Sequence, residues 1–399
     1  MSLFGERGGS EMRCVYLSSS TVPSNTANSV HVVKMAEALA LEGNEVTLIG
    51  RERRRESVSF SGSVHGYYGV TNSFVIEAFP WHWKNFLGAL IFSLRALFLV
   101  LRVRPDLIVS RNLLGSWLCS LMKVSVIHEA HSPEYMDGPI HRYLMYSMFR
   151  RPNLKALIVI SRPLSDYFKS SRLLGRTPVF VLPDAASVNQ APVKPSDRKS
   201  HDGPFKVGYA GSFYEGRGIE QILWLVENCP WADFHLAGGR EFEVQRMKAR
   251  SDAHSNLFLV GHVPHAEVHN FLQSCDVLVA PYQPGTADAV GRNTSEWMSP
   301  LKIFEYMASG RPLVASDMPV LREVLTDGEN SVLVGHADLA AWHEALVWVR
   351  DHPEDSAKLA EEASLQIVSL YSWEQRAKRI LEIFRSPLAS AAVPRGETV

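Results

Sequence analysis

Two charged residues sit oddly in the stretch SPLKIFEYMASGRPLVAS, residues 299–316. The stretch predicts a short helix and then a buried strand. Ser299 is expected to cap the helix, Pro300 suits its first turn and Gly310 its far end. Leu313, Val314 and Ala315 form the apolar run of a covered parallel strand. Lys302 falls in the first turn, where the helix dipole disfavours a cation. Glu305 lies three residues on, on the same face, among Ile303, Phe304 and Met307. An internal Lys302–Glu305 ion pair explains neither placement. A diphosphate explains both: its charge would meet the amides near Ser299 and Pro300 and draw in Lys302. Glu305 would then accept hydrogen bonds from the hydroxyl pair of a nucleotide ribose.

A second stretch supports that chemistry. In YAGSFYEGRG, residues 209–218, Gly211 and Ser212 end a strand, where exposed amides suit a phosphate. Arg217 follows in a turn between Gly216 and Gly218, with room for its planar fork to clamp a diphosphate. Gly238 and Gly239 in LAGGRE are a weaker signal of the same kind. In the first half, VIHEAHSPE places His128, Glu129 and His131 where a strand becomes a loop. Alternation puts Glu129 and His131 on one side. A histidine there can contact a sugar hydroxyl or share a developing charge; the alternative is a structural histidine. With His128 the group fits no strong metal-binding spacing.

The elements that position these residues repeat in a doubly wound α/β rhythm. MRCVYLSSS is a strand running into a loop that continues through TVPSNTANS, VHVVKMAEALALEGN a helix, and EVTLIG the next strand. PDLIVS, VSVIHEAH, ALIVIS and PVFVLPD extend that first sheet. FKVGYAGS, ADFHLAGG, NLFLVGHVP, CDVLVAPY and PLVAS build a second. The expected layout is an N-terminal Rossmann-like domain at 12–185, a polar, proline-containing linker at 186–204 and a second such domain at 205–370. A last helix at 371–386 is expected to pack back on the first domain. The final SPLASAAVPRGETV reads as disordered. Two such domains suggest a ligand cleft at the C-terminal ends of the strands.

Composition excludes little: 399 residues, 46% hydrophobic, formal net charge −1. The halves differ, however. Residues 1–184 hold 21 Lys and Arg against 14 Asp and Glu, and the remainder 20 against 28. A basic first half suits an anionic partner such as a lipid phosphate or membrane surface. Cys14, Cys119, Cys229 and Cys275 form no C-x-x-C pair, which argues against a zinc site or disulfide framework and fits a reducing compartment. The N-terminus has no apolar signal-peptide core.

Residues 86–101 are apolar except for Gly88, Ser93 and Arg95, too short and too interrupted for a comfortable membrane span. Lys84, Gly88, Arg95 and Arg102 fall near one helical stripe. A core helix with one solvated edge is the first reading. The second is a helix lying in a membrane interface, with Trp81, Trp83, Arg102 and Arg104 at its ends.

With these motifs in place, the chain resembles a GT-B glycosyltransferase of glycosyltransferase family 4. The resemblance covers about residues 12–384, most closely in ANSVHVVKMAEALALEGNEVTLIG, YAGSFYEGRGIEQI, LVGHVPHAEVHNFLQSCDVLVAPY, SPLKIFEYMASGRPLVASDMPVLREVLTDGENSVLV and YSWEQRAKRILEIF. It implies sugar transfer from a nucleotide-sugar, UDP- or GDP-linked, with retention at the anomeric carbon and no essential metal or other cofactor. Arg217 stands where the family usually has a diphosphate-binding lysine. Glu305 matches the second glutamate of the paired-glutamate motif, and His131 the first-domain histidine near the transferred sugar. Gly211, Ser212, Ser299, Pro300 and Leu301 complete the expected donor side. Asn28, Glu129 and Trp297 are candidate sugar or acceptor contacts.

Two positions depart from the family pattern. Ser212 replaces a frequent arginine. Trp297 replaces the first glutamate, with Glu296 adjacent but out of register. The acceptor expected from family habit is a glycan or lipid-linked sugar of surface polysaccharide or glycoconjugate synthesis. It would be reached in the cytoplasm or at the inner face of the membrane, with no nucleic acid involved. Two alternatives stay open: a sugar-nucleotide epimerase of similar build, and a catalytically degenerate partner subunit.

Overall fold

A computed structural model describes residues 11–52, 63–80, 86–188, 203–213, 215–286 and 293–386. Most of the expected linker, the expected disordered tail from 387, and Trp81, Trp83 and Lys84 lie outside these residues. The chain divides into two units. One runs to Leu182 and resumes at Trp373; the other is Pro183–Ser372.

The first unit alternates strand and helix: β1 (Arg13–Val22), α1 (Ala27–Leu41), β2 (Glu45–Glu52), α2 (Val64–Tyr68), β3 (Val75–Pro80) and α3 (Phe86–Val103). There follow β4 (Leu107–Ser110), α4 (Leu113–Ser120), β5 (Ser125–Ala130), α5 (Pro139–Met148), β6 (Leu154–Val159), α6 (Arg162–Ser170) and β7 (Val179–Val181). The second unit holds β8 (Phe205–Gly211), α7 (Ile219–Asn228), β9 (Ala232–Gly238), α8 (Glu241–Ser251), β10 (Leu257–Gly261), α9 (His265–Gln273) and β11 (Val277–Ala280). It closes with α10 (Leu301–Ala308), β12 (Leu313–Ser316), β13 (Val332–Val334), α11 (Leu339–Asp351) and α12 (Pro353–Ser369). The last helix, α13 (Trp373–Arg385), packs on α1 and β6 of the first unit.

Both sheets are parallel, in the orders β3-β2-β1-β4-β5-β6-β7 and β10-β9-β8-β11-β12-β13. Helices cover both faces, so the central strands are apolar runs rather than alternating ones. Every residue of β4, β11 and β12 is buried. In the second unit, side chains of alternating sense divide into two cores. Leu278 and Ala280 join one with α10 and α12; Val277 and Val279 join the other with α7 and α11. The strand order reverses between β1 and β4, and between β8 and β11. Such a reversal leaves a crevice beyond the C-terminal strand ends.

The structure corrects two sequence-based boundaries and one helix face. β1 continues through Ser18–Ser20, where a loop is expected. The Ser18 and Ser20 hydroxyls pair at 2.7 Å, and pairing with β2 resumes at Thr21 after a bulge. The expected linker begins too early, because Ala186 belongs to the second unit. It is buried there, and its amide donates to the Tyr371 carbonyl at 3.0 Å. The stripe on α3 is also different. Arg95 and Arg102 are exposed but Gly88 is buried, and Leu87, Leu94, Phe98 and Leu101 are exposed as well. Helix α4 and strand β1 take the face bearing Phe92, Ser93, Ala96 and Val100, and the opposite face is apolar too.

Candidate active site

The crevice of the second unit is built from the ends of β8 and β11 and the start of α10. Tyr306 fixes α10 to β8: its hydroxyl accepts from the Ala210 amide at 2.7 Å and donates to the Ala210 carbonyl at 3.1 Å. This places Lys302, one turn earlier, over the end of β8. Lys302 Nζ lies 3.9 Å from the ring centroid of Tyr209 and 5.2 Å from that of Tyr282. Gly211 is required beneath it: at φ 156°, a Cβ there would stand 2.6 Å from Nζ. Among the described residues no Lys302–Glu305 ion pair forms. Glu305, half-buried, has the His265 Nδ1 atom 3.6 Å from its carboxylate. Burial, and then the charge of Arg217, hold the Lys302 ammonium well below the usual lysine range, with Glu305 opposing them.

Arg217 joins the same cluster. Its guanidinium lies 5.2 Å from the Tyr282 ring centroid, and its charge acts on that phenol. Burial pushes the Tyr282 phenol up to about 12 against the pull of that charge, so it stays neutral. Gly218 fixes the turn that carries Arg217. It has φ 76°, and a Cβ would come within 1.9 Å of the Pro281 carbonyl. The Tyr209 hydroxyl donates to the Ser212 carbonyl at 2.7 Å, holding the loop after β8. Two cations thus face one crevice, walled by neutral phenols, beside glycine backbone. That arrangement suits a multiply charged anion.

The start of α10 differs from expectation. Pro300, not Ser299, occupies the cap position, and no side chain caps the helix. The Ser299 hydroxyl instead accepts from the Asp184 amide at 2.9 Å. The first turn at Leu301 therefore keeps its positive end for another acceptor. Trp297 is half-buried in the preceding turn, its amide donating to the Thr294 carbonyl at 3.1 Å.

In the first unit, Glu129 is fully buried at the end of β5 and is engaged by its neighbours. Its carboxylate accepts from the Tyr16 hydroxyl at 3.1 Å and from both Arg376 nitrogens at 3.3 and 3.1 Å. It also lies 2.5 Å from His131 Nε2 and 2.9 Å from His31 Nε2. Burial alone would raise the Glu129 carboxyl. Arg376, His31 and His131 outweigh it and hold the group well below the usual carboxylate range. A carboxylate only accepts, so His131 Nε2 carries a proton toward Glu129. His131 is partly exposed, and Glu129 orients it. His128 is separate: its Nδ1 meets the Ser116 hydroxyl at 2.9 Å and its Nε2 meets Glu134 at 3.1 Å, wholly inside the unit. Asn28 is exposed in the first turn of α1, which Thr26 caps.

The structure thus brings together Gly211, Ser212, Arg217, Lys302 and Glu305 in the second unit, and Glu129 and His131 in the first. Sequence reasoning missed Tyr209, Tyr282, Tyr306 and His265 around the cations, and His31 and Arg376 around Glu129. A tyrosine beside each quoted motif was the available signal for the first group. Nothing local marked Arg376, 247 residues from Glu129.

Comparison with known proteins follows the same division. Residues 29–188 match the family model for Glycosyltransferase Family 4, and residues 204–352 that for Glycosyl transferases group 1. A D-inositol 3-phosphate glycosyltransferase of Corynebacterium urealyticum is 33% identical over 109 residues, covering 27% of this chain and 25% of its own. A phosphatidyl-myo-inositol mannosyltransferase of Mycobacterium leprae is 28% identical over 157 residues, 39% of each chain. The matched stretch thus spans well under half the length of these curated relatives. In fold, the chain is similar to sucrose-phosphate synthase from Thermosynechococcus elongatus, with TM-score 0.71 and 16% identity over 95% of this chain and 100% of that one. It is also similar to Anabaena Alr3699/HepE in complex with UDP and glucose, with TM-score 0.68 and 16% identity over 94% and 100%.

Proposed function

Because the chain is a GT-B glycosyltransferase of the family 4 type, we propose that it transfers a sugar from a UDP- or GDP-linked donor to a glycan or lipid-linked acceptor. The reading adds retention at the anomeric carbon, no metal requirement, and a role in surface polysaccharide or glycoconjugate synthesis at the inner face of the membrane. The observation that carries it is the convergence of Arg217 and Lys302 on the ring of Tyr282, beside Gly211.

The chemistry follows from the residues. The bond between the anomeric carbon and the diphosphate oxygen breaks, the acceptor oxygen takes its place, and the acceptor proton leaves. Negative charge grows on the departing diphosphate. Arg217, Lys302 and the uncapped start of α10 stabilise that charge, the task a metal ion performs elsewhere. Glu305 accepts from the ribose hydroxyls, in competition with its contact to His265. His131, oriented by Glu129 through its Nε2–H, contacts the transferred sugar.

Mixing the protein with a panel of nucleotide-sugars and following its melting temperature identifies the donor, since only a ligand of the native state raises it. Incubating that donor with candidate acceptors should then yield a glycoside with the donor's anomeric configuration. A free, isomerised nucleotide-sugar as the product would replace transfer by epimerisation.

A further inference from the structure

We propose that α3 and α5 form a docking surface for an anionic lipid bilayer. α3 is the one helix among the described residues long and apolar enough to cross a membrane, yet only 28% of it is buried. It is fixed to its own unit, packing on β1 and α4, while α4 packs on α5. Phe92, Ser93, Ala96 and Val100 occupy that inner face. On the opposite side, Leu87, Leu94, Phe98 and Leu101 follow helical spacing and stay exposed, Phe98 at 71%. On α5, which packs on the same helix α4, Ile140 and Tyr143 are exposed at 55% and 64%. Soluble domains rarely leave a helix face as apolar as that of α3 without an occupant.

Charge selects the occupant. Residues 86–105 contain no acidic residue. Arg95 and Arg102 flank the apolar stripe of α3, and Arg142 and Arg150 are exposed on and just after α5. The Arg150 guanidinium lies 3.4 Å from the Tyr146 ring centroid, an aromatic–cation pair suited to a headgroup layer. A second copy on this face would oppose like charges. A spanning helix would have to abandon its inner face and bury Arg95 near its centre. A bilayer with anionic headgroups satisfies both the apolar stripe and its basic flanks.

This inference deepens the membrane part of the proposed function. Vesicle binding is measured without donor, so it can fail while nucleoside diphosphate binding stands, and the reverse. The test is co-sedimentation of the full chain with phosphatidylcholine vesicles, with and without phosphatidylglycerol. The wild type should bind the anionic vesicles at least tenfold more tightly than the neutral ones, and less tightly as salt rises. Leu94→Ser with Phe98→Ser should lose tenfold or more. Arg95→Glu with Arg102→Glu should abolish the preference for anionic lipid. Both variants alter exposed side chains and should keep the wild-type melting temperature and nucleoside diphosphate affinity. Equal binding to both vesicle types, or binding unchanged in both variants, would overturn the proposal. So would a dimer that ignores vesicles and that Leu94→Ser with Phe98→Ser splits, because the occupant would then be a second copy.

Discussion

Lys302→Met separates anion binding from fold stability. Methionine keeps an unbranched stem to fill the space beside Tyr209 and Tyr282, and removes only the charge. In the free protein that charge is poorly placed: it is half-buried, Arg217 repels it, and its ammonium is held well below the usual range. Removing it relieves desolvation and repulsion and gives up a cation–π contact of about 0.5–2 kcal/mol. These effects oppose each other, so the melting temperature should stay within a few degrees of wild type or rise. Nucleoside diphosphate binding should lose one charge-assisted hydrogen bond, about 1.5–3 kcal/mol. That is roughly a 13- to 160-fold rise in Kd. Calorimetric titration with UDP and GDP, beside a thermal melt, reads both quantities on one variant. Unchanged affinity, or a loss of affinity that only follows a fall in stability, would refute the reasoning.

Binding should also take up protons. A diphosphate raises the depressed Lys302 pKa, so affinity falls as pH rises from that depressed value toward the ordinary one near ~10.4; titrations in buffers of different ionisation heat detect the uptake, and Lys302→Met should abolish it. Glu129→Gln leaves Arg376 buried without its carboxylate and should cost about 3–5 kcal/mol in denaturant melts. Because the Glu129 pKa is depressed on folding, its stabilisation is present above about 4.3 and is lost as pH falls toward the folded value; the variant's melts should lack that acid-dependent part. Glu305→Gln should weaken nucleoside diphosphate binding and leave the fold intact, since an exchanged amide keeps volume but not charge. Transfer should persist in EDTA; activity lost to the chelator and restored by a divalent ion would contradict the cationic account of the leaving group.

The architecture was legible because parallel strands covered on both faces are nearly continuous apolar runs, and those runs marked every strand except the edge strands β3 and β13. The candidate phosphate-side residues stood out in the sequence because they break local rules: a cation at a helix start, an arginine between two glycines. What could not be read locally is what those residues touch. Ser299 has the composition of a helix cap, yet a backbone amide from Asp184, far away in sequence, takes its hydroxyl. Glu129 looks like a strand-end carboxylate open to ligand, yet Arg376 from the last helix buries it. The α3 stripe misled for a related reason: hydropathy sets how apolar a helix is, while packing decides which apolar face remains outside.

The most direct test of the central claim is a crystal structure of the protein with bound UDP or GDP, whichever raises its melting temperature. The account predicts a diphosphate at the end of β8, its oxygens within hydrogen-bond distance of Lys302 Nζ and the Arg217 guanidinium, and the ribose on Glu305. A nucleotide bound with its phosphates away from both cations would contradict it.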